Sequence, residues 1–461
     1  MTSAIALDLG TTSIKAGLLS KEGALAGIVA RVVPEVTAEG GRYESDALAY
    51  AEAADAVLAE CLAQTTVHPP LGLCSQRSSF LIWERATGRP VTPLISWQDD
   101  RGAESCAALR DREGAIRDLA GLPLAPYYLA PKLRVLLHEN PSWRERLSGG
   151  EWLLGTLDTF LIWRWTGGRH HLTDASMAAR TLLMDIRSQQ WSPLLCELFD
   201  VPRQILPEIR PSAGWALQLM NGLTLQASIS DQSAALIASI ATDQPEALVN
   251  LGTGGFVIRY LPSGRNAPQG YLRTLVWQDS AGQAHFASEG TLNSIAAALA
   301  PYAVEACRVE DLARDDIFCL AEPSGLGAPY FRGDLGLAFS APVERLPAQR
   351  VAALLLEGII FRVARILEDL HREFGIERVY LSGGLSALPC LQQGIARCAP
   401  FAATYLVLQA DASLAGVARL AAGAPLSDTR YAEKVETGWV APELPEKYTR
   451  WKAWLDEMLH V

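Results

Sequence analysis

Long hydrophobic runs are missing from this chain. No segment of its 461 residues approaches the roughly 18 uninterrupted apolar positions that a spanning helix needs. Its first residues lack a basic stretch followed by an apolar one, so no secretory signal is legible. The expectation is a soluble, cytoplasmic protein without a membrane partner. Runs of Lys or Arg are also missing, and the net charge is -11. A nucleic-acid groove needs a basic stripe, so no nucleic-acid partner is expected. An anionic ligand would have to be drawn in locally, by backbone N–H groups, a few basic residues and a metal. No cysteines form a CxxC pair: the eight lie at 61, 74, 106, 196, 307, 319, 390 and 398, mostly in apolar or helical sequence. They read as reduced, buried small residues. His170-His171 beside Gly167-Gly168 reads as a solvated turn, because no further ligands stand at zinc spacing. Low-complexity tracts and short-period repeats are absent as well.

What is present begins at the start of the chain. Ile5-Ala6-Leu7-Asp8-Leu9-Gly10-Thr11-Thr12-Ser13 is an apolar strand ending in an acid, a glycine and three hydroxyls. Gly10 allows a tight turn where a side chain would block a ligand. Thr11, Thr12 and the backbone N–H groups of the turn suit phosphate oxygens. Asp8 would repel those phosphates directly, and an Mg²⁺ that keeps part of its water shell resolves the conflict. A related unit recurs at Leu248-Val249-Asn250-Leu251-Gly252-Thr253-Gly254-Gly255-Phe256. Either alone also reads as an ordinary tight turn between strands. As a pair they suggest two lobes closing on one nucleotide. About half the residues (49%) are hydrophobic, enough for two or three substantial cores.

Strands are expected at Ile5–Leu9, Ala16–Leu19, Ile28–Val33, Leu71–Ser75, Phe80–Trp83, Leu225–Ser230 and Arg378–Leu381. Lys21-Glu22-Gly23 reads as a hairpin turn. Helices are expected over Asp46–Gln64 with Asp46 as its cap, Lys132–His138, 153–165, Asp231–Ala241, Val351–Phe374, 388–398 and Tyr448–Leu459. Thr166-Gly167-Gly168 should stop the 153–165 helix, and the Pro-rich 202–211 stretch should break regular structure. Residues 425–447 read as a surface excursion. Domains are expected at 1–243, 244–424 and, as a C-terminal extension with an amphipathic helix, 425–461.

Further segments stand in a telling order. They are Trp97-Gln98-Asp99-Asp100-Arg101, Gly121-Leu122-Pro123-Leu124-Ala125-Pro126-Tyr127, Thr173-Asp174-Ala175-Ser176 with Arg180-Thr181-Leu182-Leu183, and Ser230-Asp231-Gln232-Ser233-Ala234-Ala235. Then come Ser324-Gly325-Leu326-Gly327-Ala328-Pro329-Tyr330, Leu356-Glu357-Gly358-Ile359 with Phe361-Arg362, and Leu381-Ser382-Gly383-Gly384. With the two phosphate turns, these segments make the chain resemble the FGGY family of carbohydrate kinases from about residue 4 to about residue 423. The resemblance implies an α/β fold of two actin-like ATPase (ribonuclease H-like) lobes, each a mixed sheet flanked by helices, with the active site in the interlobe cleft. It implies transfer of the γ-phosphoryl group of ATP, with Mg²⁺, to a hydroxyl of a sugar or polyol. It also allows a homodimer.

Phosphoryl transfer is mostly positioning and charge stabilisation, with one base for the attacking hydroxyl. Asp231 is the candidate base. It follows a strand-like run and opens a small-residue helix, whose dipole stabilises a carboxylate. A plain helix N-cap is the other reading of that position. Gln232 would donate to the same hydroxyls, and Asp8 is the acid on the Mg²⁺ side. Thr11, Thr12, Gly252, Thr253 and Gly254 are the phosphate candidates. Gly383 and Gly384 would let the backbone approach adenine or ribose. Gln76 and Arg77 match sugar-side residues of the family, as does Tyr127. Trp97 reads as pocket wall or as core. Lys15 reads as a phosphate contact or a solvated hairpin lysine. The 324–330 loop reads as structural support.

Some details depart from the family. Glycerol kinases typically have Gln-Arg-Glu where this chain has Gln76-Arg77-Ser78, and xylulokinases more often show Met-His. The loss of a carboxylate that would grip a small triol makes glycerol less expected and leaves the substrate open, with a ketose such as a pentulose favoured. Asp411-Ala412-Ser413-Leu414-Ala415-Gly416 keeps the small residues of the family's terminal motif but not its details. Two competing readings use the same fold: an ATPase machine like a chaperone or actin, and a catalytically weak sugar sensor. Asp231-Gln232 and the set Gln76, Arg77 and Tyr127 argue against both.

Overall fold

The structure, a computed structural model, describes residues 2–408, 411–424, 426, 431–436 and 442–460. Part of the expected 425–447 excursion falls outside the described residues. The described part is not a surface loop throughout: Ala432–Lys434 pairs antiparallel with Ala403–Val407, and the C-terminal helix already begins at Leu444. The chain divides into two compact units. The first comprises Met1–Ala238, Thr274–Phe286 and Asp411–Ser427; the second comprises Ser239–Arg273, Ala287–Ala410 and Asp428–Val461. Both are α/β.

The first unit is built on a mixed sheet with the strand order Ala213–Gln218, Thr224–Ser230, Leu71–Ser75, Thr2–Leu9, Ser13–Ser20, Leu25–Val32. Leu71–Ser75 is buried along its whole length, as a central strand covered on both faces should be. It runs parallel to both neighbours, Thr2–Leu9 and Thr224–Ser230. The register aligns their ends: Ser75 lies opposite Leu9 on one side and Ser230 on the other. Three chain segments therefore leave the sheet side by side, which is where ligands bind in open α/β sheets.

Helix Ala47–Leu62 packs on Ser13–Ser20 and Leu25–Val32. Asp46 caps it, its Oδ1 accepting from the N–H groups of Leu48 at 2.8 Å and Ala49 at 3.0 Å. Helix Ala412–Ala422 crosses the three parallel strands. Gly416 permits that approach, since a Cβ there would lie 1.8 Å from the carbonyl oxygen of Ala234.

One expected helix is partly a strand. Trp152–Thr156 pairs antiparallel with Phe80–Glu84, and the helix begins only at Leu157, running to Trp165. A short apolar run does not separate the two states by periodicity, and pairing to an existing apolar strand decided this one. His171 also departs from a solvated turn. Its Nε2 lies 2.7 Å from the Leu154 carbonyl, and burial draws its pKa down to about 4.

In the second unit, Glu246–Leu251 pairs antiparallel with Gly255–Tyr260 and parallel with Arg378–Ser382, which in turn pairs with Ala403–Val407. The 27-residue helix Ala348–Phe374 runs through the core, its middle apolar on nearly every side. The C-terminal helix Leu444–His460 docks through the buried Trp451, whose indole N–H donates to the Cys319 carbonyl at 2.9 Å. Lys447 pairs with the buried Glu357 beside it. All eight cysteines are free, and only Cys106 is not fully buried.

Candidate active site

The three aligned strand ends in the first unit deliver most of the expected residues. Thr2–Leu9 leads into Gly10, Thr11 and Thr12; Leu71–Ser75 leads into Gln76 and Arg77; Thr224–Ser230 leads into Asp231 and Gln232.

The first turn is held shut from behind. The Gly10 N–H donates to the Ser13 carbonyl at 3.1 Å. The Gly10 carbonyl accepts from the Tyr50 hydroxyl at 2.7 Å and from Gln76 Nε2 at 3.2 Å. Gln76 Oε1 accepts from Ser79 Oγ at 2.9 Å and Thr11 Oγ1 at 3.4 Å. The Gln76 amide is thus buried and engaged at both ends within the protein. This geometry makes it a brace of the first turn.

Asp8 sits just inside that turn. Its Oδ2 accepts from Ser413 Oγ at 2.5 Å, across 405 positions of sequence. Burial lifts the Asp8 carboxyl to about 6, with Asp231 adding to the rise and Ser413, Cys74 and Lys15 opposing it. Asp8 Oδ1 is buried and without a hydrogen-bond partner among the described residues. An acid with one idle oxygen, next to a second acid, is a donor set that suits a divalent cation. Among the described residues no group of three or more His, Cys, Asp or Glu is placed to cage a metal. Mg²⁺ bound by one carboxylate, water and phosphate needs no such cage. Lys15 is paired with Asp411, with Nζ to Oδ1 at 2.5 Å.

Asp231 occupies the first turn of helix Asp231–Ser239, and its Oδ1 accepts from the Gln232 N–H at 2.7 Å. Burial raises its pKa above the ordinary carboxylate value, while the Arg77 and Arg180 guanidiniums pull it back. A base of raised proton affinity, held near cations, suits proton abstraction from a hydroxyl. Its position is set by a relay that sequence reading quoted without assigning a role. The Ser230 N–H donates to Ser176 Oγ at 2.8 Å, and Ser176 Oγ donates to Asp174 at 3.1 Å. Asp174 also accepts from Ser212 Oγ at 2.7 Å, and burial raises its pKa to about 7.

Arg77 is half-buried and donates to Gln232 Oε1. Ser78 is buried with a left-handed backbone, φ 63°, and its hydroxyl donates to the Arg180 carbonyl at 2.9 Å. Tyr127 is 41% exposed and stacks obliquely on Tyr128, ring centroids 4.4 Å apart. The Arg180 and Arg77 charges reach its phenol, which puts Tyr127 with the same group. Trp97 is 39% exposed, and its indole N–H donates to Thr11 Oγ1 at 2.9 Å. It is therefore an exposed wall at the turn, not a core residue.

The second unit has its own turn. Gly252, Thr253 and Gly254 join two antiparallel strands, and the Gly252 N–H donates to the Gly254 carbonyl at 2.8 Å. Gly383 follows the adjacent parallel strand with φ 90°, and a Cβ on it would lie 2.4 Å from the Leu251 carbonyl oxygen. Only glycine tolerates both conditions. The unit thus brings Gly383 and Gly384 beside the Gly252–Gly254 turn. The 324–330 loop is braced, as expected of support: Glu322 accepts from the Gly327 N–H at 3.1 Å and from Arg362 Nε at 2.6 Å.

Family models fit this chain almost throughout. The N-terminal domain of the FGGY family of carbohydrate kinases matches residues 3–249, and its C-terminal domain matches residues 247–424. The chain belongs to the FGGY family of carbohydrate kinases. It is 36% identical over 412 residues to a glycerol kinase from Thermus brockianus, covering 83% of this chain and 82% of that protein. Among solved structures, a Plasmodium falciparum glycerol kinase with ADP matches at TM-score 0.83 and 21% identity, covering 99% of this chain and 98% of that one. A xyloylose kinase from Brucella ovis matches at TM-score 0.81 and 21% identity, covering 98% of each chain. Those two likenesses carry the fold, the actin-like two-lobe α/β class. As a member of this family the protein is a carbohydrate kinase, an ATP-dependent phosphotransferase with an alcohol acceptor on a sugar or polyol. No helix among the described residues is long and apolar enough to cross a membrane.

Proposed function

We propose that Asp231 is the general base and that the acceptor is a ketose such as a pentulose, or a linear polyol longer than glycerol. The observation that carries the first part is the alignment of three parallel strand ends, which groups Asp231 with Asp8, the Thr11-Thr12 turn and Arg77. An acceptor hydroxyl held by Arg77, Gln232 and Tyr127 loses its proton to Asp231 as its oxygen bonds to the γ-phosphorus. The bond from that phosphorus to the bridging oxygen of ADP breaks, and ADP departs with the electron pair. Thr11 and Thr12 in the first unit, and Gly252, Thr253 and Gly254 in the second, serve the phosphates. Gly383 and Gly384 accommodate adenine or ribose. Asp8 would hold Mg²⁺ through its idle oxygen and intervening water, and the cation would offset phosphate charge. Gln76 keeps the first turn in shape.

The second part rests on Ser78. Its hydroxyl is turned to the Arg180 carbonyl, so the residue after Arg77 offers a small triol neither a carboxylate nor an idle hydroxyl. Glycerol is the second reading, favoured by the relatives that carry that name. The two separate by kcat/KM for ADP release with Mg-ATP across polyols, ketoses and aldonates of three to seven carbons. A pentulose or longer polyol preferred over glycerol supports the proposal; glycerol as the best acceptor overturns its substrate half. ADP release that ignores every acceptor would instead favour an ATPase machine.

A further inference from the structure

One charged group beneath the acceptor side takes no part in the mechanism above. Lys132 projects from helix Leu129–Glu139 and is 0% exposed. Its ammonium donates to the Ser96 carbonyl at 2.7 Å and to the Ser78 carbonyl at 3.1 Å. It lies 5.6 Å from the centre of the Phe80 ring. Both acceptors are backbone carbonyls, so the cation is not held as one half of a salt bridge. The nearest charges, Asp99 and Arg101, are bound to each other, with Arg101 Nε to Asp99 Oδ1 at 2.7 Å. Burial draws the Lys132 pKa down to about 7. A bare cation costs much to bury, and an apolar side chain of the same length would fill the space more cheaply.

What Lys132 joins explains its presence. Ser78 directly follows Arg77, and Ser96 directly precedes Trp97. The two loops are otherwise linked by the Trp97 N–H donating to Ser79 Oγ at 2.9 Å. We propose that Lys132 is a positioning residue, a buried clamp that fixes the Arg77 and Trp97 loops against each other and so sets the fit of the acceptor. It touches neither substrate. Three N–H groups on a flexible stem let one side chain tie two carbonyls that face each other, which no apolar residue can do.

The inference rests on the proposed reading of Arg77 as an acceptor-side residue, so its test carries Arg77→Met as a control. Lys132→Met keeps length and packing but removes the donors. Lys132→Gln restores N–H donors without charge. Acceptor and ATP kinetics are measured separately for each, with thermal unfolding alongside. Lys132→Met should lower kcat/KM for the acceptor by about tenfold or more, as loss of alignment does. The KM for ATP should stay within about twofold and the unfolding midpoint should not fall. Lys132→Gln should recover part of the acceptor loss, and decides by the same split if the methionine variant does not fold. A normal acceptor kcat/KM in the Lys132 variants, with a loss in Arg77→Met, overturns the clamp and leaves the acceptor assignment standing. Equal losses toward acceptor and ATP also overturn it, since that is what a general packing role would give. No loss in Arg77→Met overturns the acceptor assignment and the clamp with it.

Discussion

On the proposed reading, the two units contribute to the reaction with different material. In the first unit the strand ends carry side chains that ionise or hydrogen-bond: Asp8, Arg77, Asp231 and Gln232. In the second unit the matching turn carries glycines, Gly252, Gly254, Gly383 and Gly384, with Thr253 among them. The contrast follows from what each ligand presents. A triphosphate is the same in every turnover and offers many oxygens, which backbone N–H groups can meet if no side chain stands in the way. An acceptor must be told from other alcohols and must lose a proton, and both tasks need side chains of definite chemistry. The cost differs too. At its strand ends the first unit buries charge, and the pKa values of Asp8, Asp231 and Asp174 are all raised by burial. The second unit instead fixes glycine backbone in left-handed geometry at Gly383.

That contrast can be broken most sharply at Asp231. Asp231→Asn should lower kcat by about 10²- to 10⁴-fold while the variant folds and binds acceptor, checked by steady-state kinetics and calorimetry. Near-normal turnover would remove Asp231 as the base. A smaller effect is expected at the packing that places Ser413 on Asp8. Gly416→Ala drives a Cβ to 1.8 Å from the Ala234 carbonyl oxygen, so it should destabilise the first unit by about 1–3 kcal/mol, read from urea unfolding. An unchanged midpoint would show that the two helices can part without loss. A pH effect on stability bears on the first unit as well. The Lys132 pKa is lowered from 10.5 to about 7 in the folded chain, so the unfolded chain binds more protons between those values. Stability from this group is therefore present above 10.5 and is lost as pH falls toward 7. Unfolding midpoints of wild type relative to Lys132→Met should rise from pH 7 to 10; a difference independent of pH would contradict a Lys132 pKa lowered by burial.

Much of the fold was legible because its signals are local. The apolar run into Asp8-Leu9-Gly10, the Asp46 cap and the strand-to-helix switch at Ser230-Asp231 each lie within a few residues, and each appears in the structure. The 152–156 strand was not legible, since its state depends on Phe80–Glu84, which is distant in sequence. The site shows the same division. Sequence reading named the residues at the three strand ends but did not reveal that Gln76 braces the first turn, because its partners Gly10 and Ser79 are fixed by the sheet register. Ser413 was visible only as a small residue in a drifting motif, and nothing local tied it to Asp8. The Ser176–Asp174 relay and the Lys132 clamp are likewise contacts among segments far apart in the chain. Tyr50 gave no signal at all beyond being an apolar position of a helix.

The measurement that bears most directly on this division is a paired titration of ADP and of the best acceptor into Arg77→Met and Gly383→Ala, each beside wild type. Arg77→Met should weaken the acceptor and leave ADP unchanged. Gly383→Ala, with a Cβ pressed to 2.4 Å from the Leu251 carbonyl oxygen, should weaken ADP and leave the acceptor unchanged. Both ligands weakening together in either variant would contradict the separation of side-chain chemistry in one unit from backbone chemistry in the other.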